Sequence, residues 1–309
     1  MKLRNIALCL LLVGGLSASC IREDNSDCYN TYRLALSYLG DGTTEIFQQK
    51  INRVDLYVFD QNSNCVSSNR LSDAEMQAQL VTLPPLDPGD YRFVFVGNAY
   101  ETKVENLDSK DLSKITFAAD DYINGETVSG NDSLYWSSID YTIEPFSAYE
   151  KEETKTAYFA SSHYNIIVEV VNAPENIGKH PKIELVGVSP QTDFHNTAKG
   201  QATDYIMETE HDGIKTTTAV NNIMRHKNHK DVYLRVTGED GTPVAIINFD
   251  EHIERFKEFI NPELHECTIP FLIEFGTPGY PVPDDNICLE VTISIPSWFI
   301  QLVTPDFKK

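Results

Sequence analysis

The feature that most limits the fold of this chain is a series of short stretches of β character, spaced along its length and separated by Gly, Pro and Asn. Leu34, Leu36 and Tyr38 alternate with Ala35 and Ser37, the period-two signature of a half-buried strand. In Ile51–Asp60 (INRVDLYVFD), Val54, Leu56 and Val58 point one way while Asp55, Tyr57 and Phe59 point the other. Bulk on both faces marks a central strand. Pro84, Pro85, Pro88 and Gly89 force a turn into Tyr91–Val96, which is aromatic and β-branched. The second half repeats this grammar at Asn165–Val171, Lys182–Val188, Asp231–Thr237, Val244–Phe249, Thr268–Phe275 and Ile287–Ile295. One helix is expected where Ile253, Phe256, Phe259 and Ile260 share a face, closed by Asn261-Pro262. Ser72–Leu80 is ambiguous, since Ser72 and Glu75 have capping-box spacing while Met76, Ala78 and Leu80 alternate. Short strands in series without intervening helices predict an all-β chain of antiparallel β-sandwiches, not a doubly wound sheet.

Ahead of the first strand lies a different grammar. Lys2 and Arg4 precede the apolar run Ile6–Val13, then Gly14, Gly15 and Ser17-Ala18-Ser19 lead into Cys20. That is the build of a secretory signal peptide over residues 1–19. Its apolar core falls short of the roughly 20 residues needed to span a bilayer. Cys20 in the acceptor position predicts lipid attachment. Lipoprotein signals place an aliphatic residue three positions earlier, where this chain has Ser17, so cleavage by the ordinary small-x-small peptidase stays open. Residues 20–30 read as an acidic tether. The rest divides into a sandwich over 31–150 and another over 151–309, with the acidic, lysine-bearing stretch 144–155 as linker.

The chain carries 25 basic against 46 acidic residues, and losing Lys2 and Arg4 with the leader takes the balance from −21 to −23. Such a surface repels phosphate backbones, so nucleic acid is not an expected partner. Export implies an oxidising compartment, in which Cys28, Cys65, Cys267 and Cys288 are the thiols left to pair. A hairpin of Leu34–Tyr38 with Ile51–Phe59 across Gly40–Gln49 brings the outer ends together, and a Cys28–Cys65 disulfide is expected there. A hairpin of Thr268–Phe275 with Ile287–Ile295 puts Cys267 and Cys288 at opposite ends, about 27 Å apart at about 3.3 Å per residue, so these two are expected unbonded.

Residues for chemistry are scarce. His226 and His229 have helical metal-pair spacing, but Arg225, Lys227 and Lys230 surround them and oppose a cation; with His211 they are expected to be exposed loop histidines. His252 and Glu254 lack the HExxH order, and no GxSxG, P-loop or GxGxxG occurs. Asp120-Asp121 and Asp284-Asp285 sit in turns without an EF-hand pattern. Trp136 and Trp298 are the aromatic candidates for stacking on sugars, with Trp298 better read as packing or an edge plug. No catalytic, cofactor-binding or metal-binding residue is assigned.

The order of segments is itself informative. A cysteine with SDC close behind is followed by RLALSYL, INRVDLYVFD and a Pro-Gly turn into YRFVFVGN. TAYFASSHYNIIVEVV then opens the second half, and SIPSWFIQLV closes it. That succession resembles the fimbrillin-associated anchor proteins of Bacteroidetes type V pili, of the minor-fimbria type. The resemblance implies two transthyretin-like antiparallel β-sandwich domains in tandem, a lipid on Cys20 holding the chain surface-exposed in the outer membrane, and no catalysis or cofactor. It also implies a fimbrial stalk subunit, a fimbrillin, as partner through strand exchange, with the anchor limiting fimbrial length. Asp132-Ser133-Leu134 resembles a periplasmic O-glycosylation motif of the same phylum. The competing readings are a surface glycan-binding sandwich lipoprotein, which needs aromatics on one exposed face, and a hydrolase, which needs a converging polar cluster.

Overall fold

The computed structural model describes residues 31–145, 152–193, 195, 197–225, 229–276 and 291–303. Cys20, Cys28, His226, Asp284, Asp285 and Cys288 lie outside the described residues. The first half supplies β1 (Thr31–Ser37), β2 (Val54–Asp60), β3 (Cys65–Arg70), β4 (Leu80–Thr82) and β5 (Gly89–Gly97). It continues with β6 (Thr102–Glu105), β7 (Thr116–Ala119), β8 (Tyr135–Ile143), β9 (Glu152–Tyr158) and β10 (Ala160–Ser161). The second half supplies β11 (His163–Val171), β12 (Lys182–Val188), β13 (Gln191–Asp193), β14 (Ala198–Lys199) and β15 (Thr203–Met207). It ends with β16 (Glu210–His211), β17 (Thr216–Met224), β18 (Tyr233–Thr237), β19 (Pro243–Asn248), β20 (Thr268–Phe275) and β21 (Val291–Ser294). Short helices are α1 (Phe47–Lys50), α2 (Asp73–Ala78), α3 (Asp120–Ile123), α4 (Phe249–Arg255) and α5 (Ser297–Val303).

Two sandwiches result, as the strand series predicts. In the first, the sheet β4-β1-β9 covers one face of the sheet β10-β8-β5-β2-β3. Leu34 and Leu36 of β1 meet Val54, Leu56 and Val58 of β2, Phe93 and Phe95 of β5, and Tyr135 and Tyr141 of β8 in one core. In the second, the sheet β16-β17-β11-β20-β21 packs on β15-β12-β18-β19, with Ile166, Val168 and Val170 of β11 inward. Ladders are antiparallel except for β1 with β9 and β11 with β20, which run parallel. The two-faced reading of β2 holds: Val54, Leu56 and Val58 face the sandwich core, and Phe59 faces a second core on the far side of the sheet.

That second core explains the middle of the chain. Phe59, Val94 and Val96 on the outer face of the sheet pack with Ile115, Phe117 and Leu134, and with Met224 from the second half. Over them lies a sheet of order β14-β13-β7-β6, drawing two strands from each half. Its seam pairs Gln191, Thr192 and Asp193 with Ala118, Phe117 and Thr116.

Several expectations are corrected. β1 does not form a hairpin with β2: it pairs with β4 and β9, and β2 pairs with β3 and β5 in the opposing sheet. The physical reason is that both strands bury apolar side chains, so they do better facing each other across a core than side by side. Cys65 stands at the start of β3, half-buried and packed on the outer core, the face turned away from β1, so the hairpin does not place it, and Cys28 lies outside the described residues. The stretch after residue 150 is not a spacer, since Glu152–Tyr158 runs beside β1 for its whole length. Lys155 points inward there, its ammonium 4.1 Å from the Tyr141 ring centre. The ambiguous stretch resolves as helix α2, where Ser72 and Glu75 form the reciprocal capping box. The later helix starts at Phe249 because Asn248 caps it, its side chain accepting from the Glu251 N–H at 3.1 Å. The expected hairpin near the end of the chain is present, with Phe275 opposite Val291 and Leu272 opposite Ser294.

Candidate functional site

A chain built from sheets meets partners at its edges, and several of the described edges carry a recognisable shield. β3 is polar and ends on Arg70, which is ion-paired to Asp55 at 3.1 Å. β9 carries Glu and Lys, with Lys155 turned inward. The bridge of Val128 to Tyr205 and the Ile206 N–H donating to the Val128 carbonyl at 3.1 Å occupy the outer side of β15. β21 covers only Leu272–Phe275 of β20. Beyond it, Pro270 has no N–H to offer, and its carbonyl accepts from His252 Nε2 at 2.9 Å while the imidazole stacks on Phe271 at 4.1 Å. Charged residues, prolines, short strands and covered backbone are the devices that stop edge-to-edge association.

β19 lacks them. Its sequence PVAIIN has no charge, it is the outermost strand of its sheet, and only Pro243 at its start withholds a donor. Ala245 and Ile247 turn toward the core while Ile246 is 68% exposed. Among the described edge strands of six residues or more, β3, β9 and β19, it alone is free of charge.

The second concentration of polar chemistry lies where the halves meet. Glu266, just before β20, accepts from the Tyr38 hydroxyl and the Lys50 ammonium, both at 2.5 Å, and from the Tyr135 hydroxyl at 3.3 Å. All three donors belong to the first half. Asp41 returns the contact, accepting from the His265 and Glu266 N–H groups at 2.7 and 3.0 Å. Burial pushes the Glu266 carboxyl up, but the hydrogen bonds from Lys50 and Tyr38 outweigh it and hold the group below its ordinary value. Burial, and then the bond to Glu266, push the Tyr38 phenol far up. Beside this junction opens a cleft of about 600 Å³, walled by Asn98, Tyr100, Asn131, Asn165, Asn222 and His265 among others.

The remaining candidates are structural. Asp132 Oδ2 accepts from the N–H groups of Tyr100, Glu101 and Thr102, each at 2.9 Å, and from the Thr102 hydroxyl at 2.7 Å. Ser133 Oγ accepts from Asn222 Nδ2 at 2.9 Å across the halves. Trp136 packs half-buried on the outer core, and Trp298 donates its indole N–H to Glu169 at 2.8 Å. His229 is buried against Tyr164, contrary to the exposed loop expected, and its backbone carbonyl accepts from the Val232 N–H at 3.1 Å. His211 is half-buried in β16 and accepts from the Gly213 N–H at 2.8 Å. Asp120 sits in the first turn of α3, and no group of three metal-ligating side chains occurs among the described residues. No helix among the described residues is long and apolar enough to cross a membrane. Cys267, buried in the core of the second sandwich, has its thiol pushed up to about 12 by burial.

Known folds share this plan. A protein described as an adhesin from Bacteroides ovatus aligns at a TM-score of 0.68 and 14% identity, over 87% of this chain and 94% of its own. The fimbrial anchor protein Mfa2 from Porphyromonas gingivalis aligns at 0.64 and 14%, over 86% and 97%. A protein from Bacteroides thetaiotaomicron, described as polysaccharide binding, aligns at 0.64 and 15%, over 80% and 91%. At such identities these likenesses speak for the fold alone. Among curated protein sequences nothing matches the chain. The model of the fimbrillin-A associated anchor proteins Mfa1 and Mfa2, however, matches residues 25–304, which includes every described strand and helix of the two sandwiches. The chain therefore belongs to the fimbrillin-A associated anchor protein family.

Proposed function

We propose that this protein is the non-catalytic, lipid-anchored base of a fimbria, holding the fibre to the outer membrane and limiting its length. Family membership supports the fimbrial role, and the leader ending at Cys20 supports the lipid. The observation that carries the mode of association is β19, an edge strand of apolar residues without a charge. A strand from a fimbrial subunit extends the sheet there, backbone hydrogen bonds giving affinity and alternate side chains giving register.

Deleting the gene tests the role. Fimbriae should appear in the medium and run overlong, with stalk subunits still made; a mutant that kept normal, attached fimbriae would end the reading. Cys20→Ala tests the lipid, through loss of incorporated radiolabelled fatty acid and release of the protein. Ile246→Lys tests the edge, since a charge there should weaken capture of fimbrial subunits while leaving the fold intact. A Cys28–Cys65 disulfide belongs to the same proposal as a tie between tether and edge strand, and peptide mapping without reductant should find the linked pair.

A further inference from the structure

The free edge of β19 also carries a record of the strand it takes. The Phe249 N–H donates to the Val232 carbonyl at 3.0 Å, which makes Val232 and Phe249 a hydrogen-bonded pair of the antiparallel ladder. Bonded and unbonded pairs alternate along such a ladder, so Leu234–Ile247 and Val236–Ala245 are bonded while Tyr233–Asn248 and Arg235–Ile246 are not. The N–H and carbonyl of Ile246 and the N–H of Asn248 therefore point away from β18, into the open edge. The register then slips between Val236–Ala245 and Thr237–Pro243, leaving Val244 as the extra residue of a bulge. The straight part of the edge is short, and these backbone groups are few to hold a strand against the freedom lost on association.

The ends of the strand supply the rest, and both are acidic. Asp240 stands in the turn before Pro243, and Asp250 and Glu251 stand in the first turn of α4 after Asn248. All three are exposed, and none has an ion-pair partner among the described residues. Glu239 is spent on the His180 N–H at 2.7 Å. Against these carboxylates stand Lys230 at the Asn248 end, its carbonyl accepting from Asn248, and Arg235 beside Ile246, ion-paired to Glu184 at 3.6 Å. Between the ends the edge is apolar on both faces, with Val244 and Ala245 only partly buried on the core and Ile246 exposed.

We propose that the strand captured by β19 is a short run of alternating apolar side chains bounded at both ends by lysine or arginine. The proposal rests on the reading of β19 as the association edge and adds the chemistry of the partner to it. Side chains on one face of that strand complete the cover of Val244 and Ala245, and those on the other lie beside Ile246. Basic residues meet Asp240 at one end and Asp250 with Glu251 at the other. Because both ends carry the same charge, the demand is the same for parallel and antiparallel arrival. A second copy of this chain, with a net charge of −21, would set carboxylate against carboxylate and is disfavoured.

The test uses the full mature chain and fluorescently labelled peptides with blocked ends, read by anisotropy. One peptide alternates Val and Thr over about six residues between pairs of lysines, a second has glutamates for the lysines, and a third breaks the lysine-flanked run with proline. The lysine-flanked peptide should bind about tenfold tighter than the glutamate-flanked one, the effect of an exposed ion pair at each end, and added salt should narrow the difference. Asp240→Asn combined with Asp250→Asn and Glu251→Gln should narrow it to about twofold. Ile246→Pro removes only an outward N–H, which an edge strand tolerates, and should abolish binding of both peptides. Circular dichroism and melting check the fold of each variant. Should Ile246→Pro misfold, the proline-broken peptide makes the same distinction between strand pairing and attraction of charge alone. Equal binding of the two flanked peptides, lost with Ile246→Pro, overturns the basic-flank proposal and leaves the edge reading standing. So does a preference for lysine that the neutralised variant retains. No binding of either peptide, or binding that Ile246→Pro or the proline-broken run leaves unchanged, overturns both.

Discussion

Removing the Glu266 carboxylate should loosen the union of the two halves by an amount the structure allows to be worked out. Tyr38 is fully buried and its hydroxyl donates to Glu266 at 2.5 Å. In Glu266→Ala that hydroxyl keeps its burial and loses its acceptor, which costs about 1–3 kcal/mol. The Lys50 pair, with side chains 40% and 29% exposed, adds at most about 1 kcal/mol. The total is about 1–4 kcal/mol for alanine, and about 1 kcal/mol or less for Glu266→Gln, which keeps an acceptor. Urea unfolding followed by fluorescence reads both halves, since Trp136 reports the first and Trp298 the second. Tyr38→Phe separates the terms: made on Glu266→Ala, it removes the stranded hydroxyl and should cost nothing or restore stability. Coupling between the two substitutions should exceed about 1 kcal/mol; additivity within about 0.3 kcal/mol would refute the argument. The carboxyl lies below its ordinary value in the fold, so its contribution is present above the unfolded value of about 4.3 and is lost as pH falls through the lower folded value. The gap between wild type and Glu266→Gln should therefore close in acid.

Three further outcomes follow from single positions. His252 is buried with its pKa lowered to about 4, chiefly by burial. Between about 6.5 and 4 the unfolded chain takes up a proton that the fold refuses, so stability falls on acidification by up to about 1.4 kcal/mol per pH unit, and His252→Phe should flatten the measured slope. Gly187 has φ +78° and a Cβ there would lie 2.1 Å from the Asp231 carbonyl oxygen, whereas at Gly213, φ +81°, nothing lies within 4 Å. Gly187→Ala should cost about 2 kcal/mol or more in chemical unfolding and Gly213→Ala about 1 kcal/mol. Cys267, buried and with a thiol that resists ionisation, should stay unmodified by iodoacetamide at pH 8 in the native protein and react once urea unfolds it.

Where a segment's own side chains decide its state, the sequence is readable. β2 shows its two burials in alternation, α2 shows its capping box, and β20 with β21 shows two apolar runs that turn back on one another. Where a partner far along the chain decides, it is not. β9, EETKTAY, has almost no apolar period, and it is a strand because β1 offers it a ladder and Tyr141 offers Lys155 a ring. β7, TFAA, is too short to signal anything until β13 lies beside it. The hairpin of β1 with β2 failed for a related reason: adjacency in sequence suggested pairing, while the shared apolar pattern required opposition across a core. Glu266 and Tyr38 stand 228 positions apart, and neither residue type is unusual where it occurs. The cleft walled by Asn131, Asn165 and His265 likewise exists only once the fold has brought residues of both halves together.

The sheet shared between the halves governs the order in which the molecule can be completed. Synthesis delivers the N-terminal end first, so β6 and β7 emerge with Phe117 ready to cover the outer core long before β13 arrives to pair with them. Until residue 193 is out, the free side of β7 is an open template carrying Thr116–Ala119, and Met224, the last piece of that core, comes later still. The first sandwich can therefore close its inner core alone but must wait for its neighbour to seal its outer one. A chain cut between the halves would expose an apolar sheet face and a strand edge together, the combination that invites aggregation. This anchor-family protein matures as a single unit, in which the later half serves as the lid of the earlier.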